Sequence, residues 1–489
     1  MRSLLVLVLF FLISCSNTVQ INIDVEKSND ESSDQDVSEE TVPFVTDLKV
    51  EPNSENTLSC RLSFKTDSEK ALKVRYYSET HSGYEITGEK TDDHYYFLWG
   101  MRSDQVYDIQ IIDPENDEIL AQTEFSSGKL PKTVPNMKLN VNEGQKVSEG
   151  FVLFNYNYIP PERSVPLLLM LDTDGEVVWY YEYLSKGFTV FGDVQYIQKN
   201  ATILMGVQKG QNMIDIPAEE AVEIDLEGRV VWKSRELANV YADENSWHHI
   251  YELLEDDTIV MLRREFVGNV ISDTIINVDR DYNELWRWQF KDHFALPECD
   301  PGDECNWTHS NSVSMFREQK VVYLNSRNLS QIYKIDMETD ELVWTFGKGG
   351  DFTMLSDLPD PWFELAHDPE ILTFNDDEIL LYDNGTPQRG YSRVIKYEID
   401  DKAMTAEVIF IFDGVPQNQW YTEYWGDADT LENGNVFITI GDFEEDDDSK
   451  FTEVSEQGEI VWELLFPETE ELKVILYNSC KFMPKLKML

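Results

Sequence analysis

Histidine is the side chain best suited to move protons or attack an electrophile near neutral pH, and this chain has only seven in 489 residues. His81 and His94 lie in the N-terminal region and His293 in an irregular stretch. His248, His249, His309 and His367 instead stand just ahead of short apolar runs. Asn311 follows His309 closely, and Arg327 lies 18 residues after it in Asn325-Ser-Arg-Asn-Leu-Ser330. Imidazoles beside a guanidinium and a carboxamide suit an anion with several oxygens: arginine and amide N–H groups bind it, and a neutral imidazole attacks or carries a proton. Three histidines could also hold zinc with one position open for water, although Arg327 beside them would repel the metal.

Elements that would bring these residues together are legible as a repeat. An acidic turn, two aliphatics and an aromatic recur at Asp174-Gly-Glu-Val-Val-Trp179, Glu227-Gly-Arg-Val-Val-Trp232, Tyr282-Asn-Glu-Leu-Trp286, Asp340-Glu-Leu-Val-Trp344, Ala406-Glu-Val-Ile-Phe410 and Gln457-Gly-Glu-Ile-Val-Trp462. The aromatic positions 179, 232, 286, 344, 410 and 462 are spaced by 53, 54, 58, 66 and 52 residues, which is blade length. Each turn follows an apolar run ending in an acid, and in most units a second hairpin precedes it, as in Ile250–Leu254 and Thr258–Leu262 around Glu255-Asp-Asp257. Two hairpins give four strands per unit, so residues 136–489 are expected to form an all-β, six-bladed β-propeller with the tryptophans packed between blades. In such a ring the first strand of each blade is innermost. The loop entering it and the loop joining strands two and three open on the same mouth, so His248, His249, His309, His367, Asn311 and Arg327 should converge there. A non-catalytic propeller that binds a partner at this mouth remains an alternative.

Residues 45–132 carry shorter alternating runs, such as Leu58–Phe64, Leu72–Tyr77, Tyr95–Trp99 and Val106–Ile112, expected to form a small β-sandwich. Its Leu98-Trp-Gly-Met-Arg-Ser-Asp-Gln-Val-Tyr107 stretch resembles the corresponding turn of fibronectin type III modules. Ahead of it, residues 1–15 read as an export signal: Arg2, an apolar run from Leu4 to Ile13, then Ser14-Cys15. Leu12-Ile13-Ser14-Cys15 resembles a bacterial lipoprotein box, implying lipidation of Cys15 and an outer-membrane lipoprotein facing the periplasm, or a cell-surface protein. Residues 16–44 would be an acidic, disordered tether. An exported chain can oxidise its thiols, and Cys299 and Cys305 flank a Pro-Gly turn suited to a disulfide.

The chain holds 93 Asp+Glu against 40 Lys+Arg, a formal charge of -53, yet 42% of its residues are hydrophobic. Residues 24–40 hold eight acids and one base, 7 of the 53 excess charges; the rest is expected to coat the folded surface. That surface repels nucleic acid and anionic headgroups, leaving the membrane as a partner only through the lipid anchor. A homodimer is compatible with this plan.

The stretches Trp307-Thr-His309-Ser-Asn311-Ser-Val313, Asn325-Ser-Arg327-Asn-Leu-Ser330, His367-Asp368 and Tyr382-Asp-Asn-Gly385, on the plan of export signal, sandwich and propeller, resemble the bacterial aryl-sulfate sulfotransferases. The resemblance implies that His367 is the transiently sulfated residue, that His309, Asn311 and Arg327 bind the sulfuryl group, and that His249 is a further active-site histidine. His248-His249-Ile250 stands where many members have His-His-Asp, so either member of the doublet could serve. The implied reaction moves a sulfuryl group from an aryl sulfate to a phenol by a ping-pong route with His249 or His309 as acid/base. It needs no metal, no cofactor and no nucleotide donor, and no Gly-rich phosphate loop is evident.

Overall fold

The computed structural model describes residues 45–159, 167–183, 188–209, 220–234, 247–300, 305–371, 378–414, 420–441, 449–467, 473–483 and 486–488. The expected signal, the lipidation site at Cys15 and the tether at 16–44 lie outside them. The described chain is nearly all β, and its backbone contacts divide it into two units.

The smaller unit holds a three-stranded sheet of Thr46–Pro52, Cys60–Lys70 and Thr91–Leu98, and a five-stranded sheet of Lys487–Met488, Tyr84–Thr87, Lys73–Tyr77, Val106–Asp113 and Glu118–Ser126. Alternation puts Cys60, Leu62 and Phe64 of one sheet and Tyr107, Ile109 and Ile111 of the other in the core, each at most 1% exposed. Tyr107 Oη accepts the Arg102 N–H at 2.8 Å, which ties the turn at 98–107 to its strand. The C-terminal strand departs from the expected domain boundary: Lys487–Met488 pairs with Tyr84–Glu85 and so belongs to this unit.

Among its described residues the larger unit holds six sheets, I to VI, antiparallel except for the short parallel strands Cys305–Asn306 added to sheet III and Thr353–Met354 added to sheet V. Sheet I takes Phe151–Ile159, Leu167–Leu171 and Val177–Glu182 from the start of the unit and Lys473–Phe482 from its end. Sheet II runs Phe188–Ile197, Thr202–Lys209, Glu220–Asp225, Val230–Lys233. Sheet III runs Trp247–Leu253, Ile259–Val267, Val270–Val278, Glu284–Gln289, and sheet IV Ser310–Phe316, Val321–Ser326, Gln331–Asp336, Leu342–Gly347. Sheet V runs His367–Ile371, Glu378–Asp383, Arg393–Asp400, Thr405–Phe412. Sheet VI runs Asp427–Thr430, Val436–Ile440, Ser449–Val454, Ile460–Phe466, with Lys138–Asn142 as a fifth strand. The first strands of sheets II to VI touch in sequence. Lys473–Phe482 of sheet I touches both Asp427–Thr430 and Phe188–Ile197, so the inner strands close in cyclic order.

Apolar packing lies between sheets. Val260, Leu262, Ile275 and Trp288 of sheet III pack on Val313, Val322, Leu324 and Tyr333 of sheet IV. Trp344 and Phe346 of sheet IV pack on Ile379, Leu381, Ile395 and Tyr397 of sheet V. Middle strands are therefore covered on both faces, which is why Val321–Ser326 reads as a continuous buried run. In sheet III the fully buried anchor is Trp288, two residues beyond the repeat position; Trp286 is only half-buried and donates from Nε1 to Asp340 Oδ1 at 2.8 Å.

Candidate active site

The inner strands of sheets III, IV and V are each irregular at their histidines. In sheet III the register slips between His248 and Tyr251, with His249 at φ 57°. Sheet IV slips between Ser310 and Ser312, just past His309 at φ 41°. Sheet V slips between His367 and Glu370, with Asp368 at φ 40°. A bulge leaves a residue out of the ladder and re-aims its side chain. A non-glycine residue at positive φ costs about 1–3 kcal/mol and persists only where packing compels it. Three such departures fall at equivalent places: at His249 and His309 themselves and, in sheet V, at Asp368 just after His367, which stays in register with Tyr382.

His367 is 5% exposed, and its Nδ1 lies 2.7 Å from Asn384 Oδ1. The orientation of that amide is fixed, because Asn384 Nδ2 donates to two carbonyls, Thr422 O at 2.9 Å and Trp425 O at 2.7 Å. The oxygen therefore faces the ring, Nδ1 carries the proton and Nε2 carries the lone pair. Burial, and next the Arg327 guanidinium, push the imidazolium pKa down from 6.5 to about 3, against the opposing pull of Asn384. His367 is thus held as a neutral imidazole with its lone pair on Nε2.

Arg327 follows the second strand of sheet IV and is 6% exposed. Its backbone N–H donates to His309 O at 3.2 Å, its Nη2 to Glu423 O at 2.8 Å and its Nη1 to Asn328 Oδ1 at 3.0 Å, and its guanidinium lies 5.0 Å from the Tyr424 ring centroid. The guanidinium so held acts electrostatically on His367. Asn311 is 5% exposed and its amide is engaged by protein at both ends: Nδ2 donates to Ala366 O at 3.0 Å and Oδ1 accepts from Asn325 Nδ2 at 2.6 Å. Asn325 donates to the same carbonyl at 2.8 Å. Both amides thereby hold the residue that precedes His367.

The two members of the doublet have different surroundings. His248 is 4% exposed, with Nε2 at 3.1 Å from Asp273 Oδ1 and Nδ1 at 2.6 Å from His249 Nδ1. His249 is half-buried and meets His309 edge to face, ring centroids 5.2 Å apart. Burial, then the neighbouring His248, His309, Arg264 and His367, hold its pKa well below 6.5. Asp273, 1% exposed, also accepts the Thr308 hydroxyl at 2.7 Å and the Ser310 N–H. Burial would raise its pKa, but His248 and these donors outweigh that and keep it below the usual carboxylate range. His248, His249, His309, His367 and Arg327 are thus brought together, whereas His293 stacks on Trp288 and His81 and His94 sit in the small unit. Cys299 and Cys305 form a disulfide with Cα atoms 5.9 Å apart.

Sequence reading missed Asp273, and it included Asn384, within Tyr382-Asp-Asn-Gly385, without giving it a role. Asp273 interrupts an otherwise apolar strand, Val270-Ile-Ser-Asp-Thr-Ile-Ile-Asn-Val278, and a polar residue there signals a buried partner. Asn384 occupies the loop after the second strand of sheet V, in phase with Arg327 in sheet IV. The expectation that the acids beyond the tether coat the surface also needs correction. Glu252, Asp368, Glu370, Asp427 and Asp429 stand on the inner strands of sheets III, V and VI with pKa values raised by burial, Glu252 and Glu370 from 4.5 to about 7. By surface area all but Asp427 are only half-buried. Asp368 and Glu370 lie two residues apart on one inner strand, and Asp427 and Asp429 on another.

The family model described as Arylsulfotransferase (ASST) matches residues 138–477, more than two thirds of the chain. No curated protein sequence matches it. Among solved structures, an auxiliary nutrient binding protein from Bacteroides thetaiotaomicron VPI-5482 is similar at 12% identity and TM-score 0.31, over 92% of each chain. A nidogen/laminin complex is similar at 10% identity and TM-score 0.39, over 68% of this chain and 97% of the other. Kluyveromyces lactis Hsv2 is similar at 9% identity and TM-score 0.30, over 68% and 99%.

Proposed function

The chain belongs to the arylsulfotransferase family and is an aryl sulfotransferase independent of nucleotide sulfate donors; on that premise we propose that it works by ping-pong transfer through a sulfohistidine at His367. The observation that carries this reading is the tautomer set by Asn384, which leaves the lone pair of a neutral imidazole on Nε2. In the first half-reaction Nε2 forms a bond to sulfur, the bond from sulfur to the aryl oxygen breaks, and its electron pair leaves on that oxygen. A second phenol then discharges the sulfohistidine. Sulfuryl transfer spreads charge over three equatorial oxygens, by analogy with phosphoryl transfer, and fixed donors lower its barrier. Arg327 and His309 are the groups for that task, with Asn311 and Asn325 holding the strand that presents His367.

We read the six sheets as blades of a β-propeller, a reading supported by inner strands that touch in cyclic order and by a first sheet completed from the end of the unit. We also propose that Cys15 is lipidated and anchors the protein at the outer membrane or cell surface; palmitate labelling lost in Cys15→Ser tests this. The mechanism is tested by incubating the protein with an aryl sulfate and no acceptor, then locating the added sulfo group by mass spectrometry. It is expected on His367. Release of phenol by His367→Ala at the native rate would overturn the assignment.

A further inference from the structure

Within the site a carboxylate and two imidazoles are hydrogen-bonded in series: Asp273 Oδ1 to His248 Nε2 at 3.1 Å, then His248 Nδ1 to His249 Nδ1 at 2.6 Å. Asp273 and His248 are 1% and 4% exposed, so bulk water does not exchange freely with the inner link. Asp273 accepts at both oxygens, since Oδ2 takes the Thr308 hydroxyl and the Ser310 N–H. An ionised carboxylate only accepts, so His248 Nε2 must carry a proton. That leaves two states of the series. In the first, both rings are neutral, His249 Nδ1–H donates to His248 Nδ1, and His249 Nε2 holds a lone pair. In the second, one more proton makes His248 an imidazolium paired with Asp273, its Nδ1–H donates to His249 Nδ1, and His249 Nε2 carries a proton.

We propose that Asp273, His248 and His249 are a proton relay, which gives a proton to the departing phenolate and recovers it from the acceptor phenol. The proposal rests on the sulfuryl-transfer reading of the same site. As the bond from sulfur to aryl oxygen breaks, His249 Nε2–H passes its proton to that oxygen while His248 Nδ1–H passes one to His249 Nδ1; phenol leaves and both rings are neutral. In the second half, the acceptor O–H gives its proton to His249 Nε2 and the series returns to the charged state. The phenolate oxygen then bonds to sulfur, and the N–S electron pair returns to His367 Nε2. One proton is thus lent and recovered in each turnover.

The surroundings fit such storage. Arg264 from the second strand of sheet III, His309 from sheet IV and His367 from sheet V face His249 and, with burial, disfavour charge there. Asp273 from the third strand is the one anion among these groups, and it faces His248. Asp273 is also a positioning residue, because it grips Thr308 and Ser310 on either side of His309.

The test separates a relay from a purely structural role by leaving-group dependence. A 4-nitrophenolate leaves without a proton, whereas unsubstituted phenolate needs one. Asp273→Asn and His248→Gln should each slow transfer from phenyl sulfate at least about tenfold more than from 4-nitrophenyl sulfate, within the range expected for general acid catalysis. His248→Gln keeps an N–H toward Asp273 but cannot pass a proton, so it reads the relay even if Asp273→Asn fails to fold. Equal losses with both esters in His248→Gln would overturn the relay and leave the sulfohistidine reading standing. Absence of any phenol release from the native protein would overturn both.

Discussion

At the scale of single residues, the orientation of one imidazole is decided by an amide that protein groups hold at both ends. Asn384 is satisfied at both ends, so replacing it removes the acceptor for His367 Nδ1–H and takes a donor from the carbonyls of Thr422 and Trp425. Asn384→Ala is expected to lower kcat by about 10- to 100-fold, the usual cost of losing a partner that orients a functional histidine, with KM little changed. Stopped-flow measurement of phenol release checks it; a change confined to KM would assign Asn384 to substrate binding. The same geometry fixes a pH expectation. His367 has its pKa lowered from 6.5 to about 3, by burial and then by Arg327, so it stays neutral far below pH 6.5. Arg327→Gln removes the second cause and should move the acid limb of His367 sulfation to higher pH.

At the scale of elements, sheet V shows how a strand is pinned behind the site. Asp383, fully buried, ends the second strand next to Asn384 and accepts Arg389 at both carboxylate oxygens, 2.6 and 2.7 Å, and Arg393 Nε at 2.7 Å. It also accepts the Glu364 N–H at 2.9 Å, while Arg393 donates to Trp362 O at 3.0 Å. Asp383→Ala would leave the buried Arg393 without its carboxylate and Arg389 with only Asp360, at 3.7 Å, and is expected to cost about 3–5 kcal/mol of stability, measured by urea unfolding. The strands themselves were legible in the sequence, because a sheet packed on both faces writes continuous apolar runs and its outer turn recurs. Register was not. Trp286 and Trp288 share one face of the same strand, and a slip between Asn277 and Val278 in the neighbouring strand accompanies the burial of the latter. The histidines and Arg327 could be read because they recur in phase. Asp273 and Asn384 could not be assigned roles, since their partners lie on other strands and only folding reveals which polar groups meet.

At the scale of the whole molecule, the charge of -53 divides into two populations with different physics. Exposed carboxylates repel one another through water, and salt screens them: the Debye length falls from about 10 Å at 0.1 M to about 3 Å at 1 M. Glu252, Asp368, Glu370, Asp427 and Asp429 interact across the gap between inner strands and are screened far less. Glu252 and Glu370 have folded pKa values raised from 4.5 to about 7, by burial in both and also by Asp368. A raised carboxylate pKa means that the folded state binds the proton more tightly than the unfolded one. Its contribution to stability is complete below pH 4.5 and is lost as pH rises through about 7. His367 acts in the opposite sense below 6.5, because the unfolded chain takes up a proton that the folded site refuses until about pH 3. The stability maximum should therefore lie on the acid side of neutrality. Thermal melts in 1 M salt should still show Tm falling from pH 5 to pH 8. Glu252→Gln or Glu370→Gln should flatten that fall and raise stability at pH 8 by about 1–3 kcal/mol each. If high salt abolishes the fall in the native protein, surface repulsion is its source and the inner carboxylates are not.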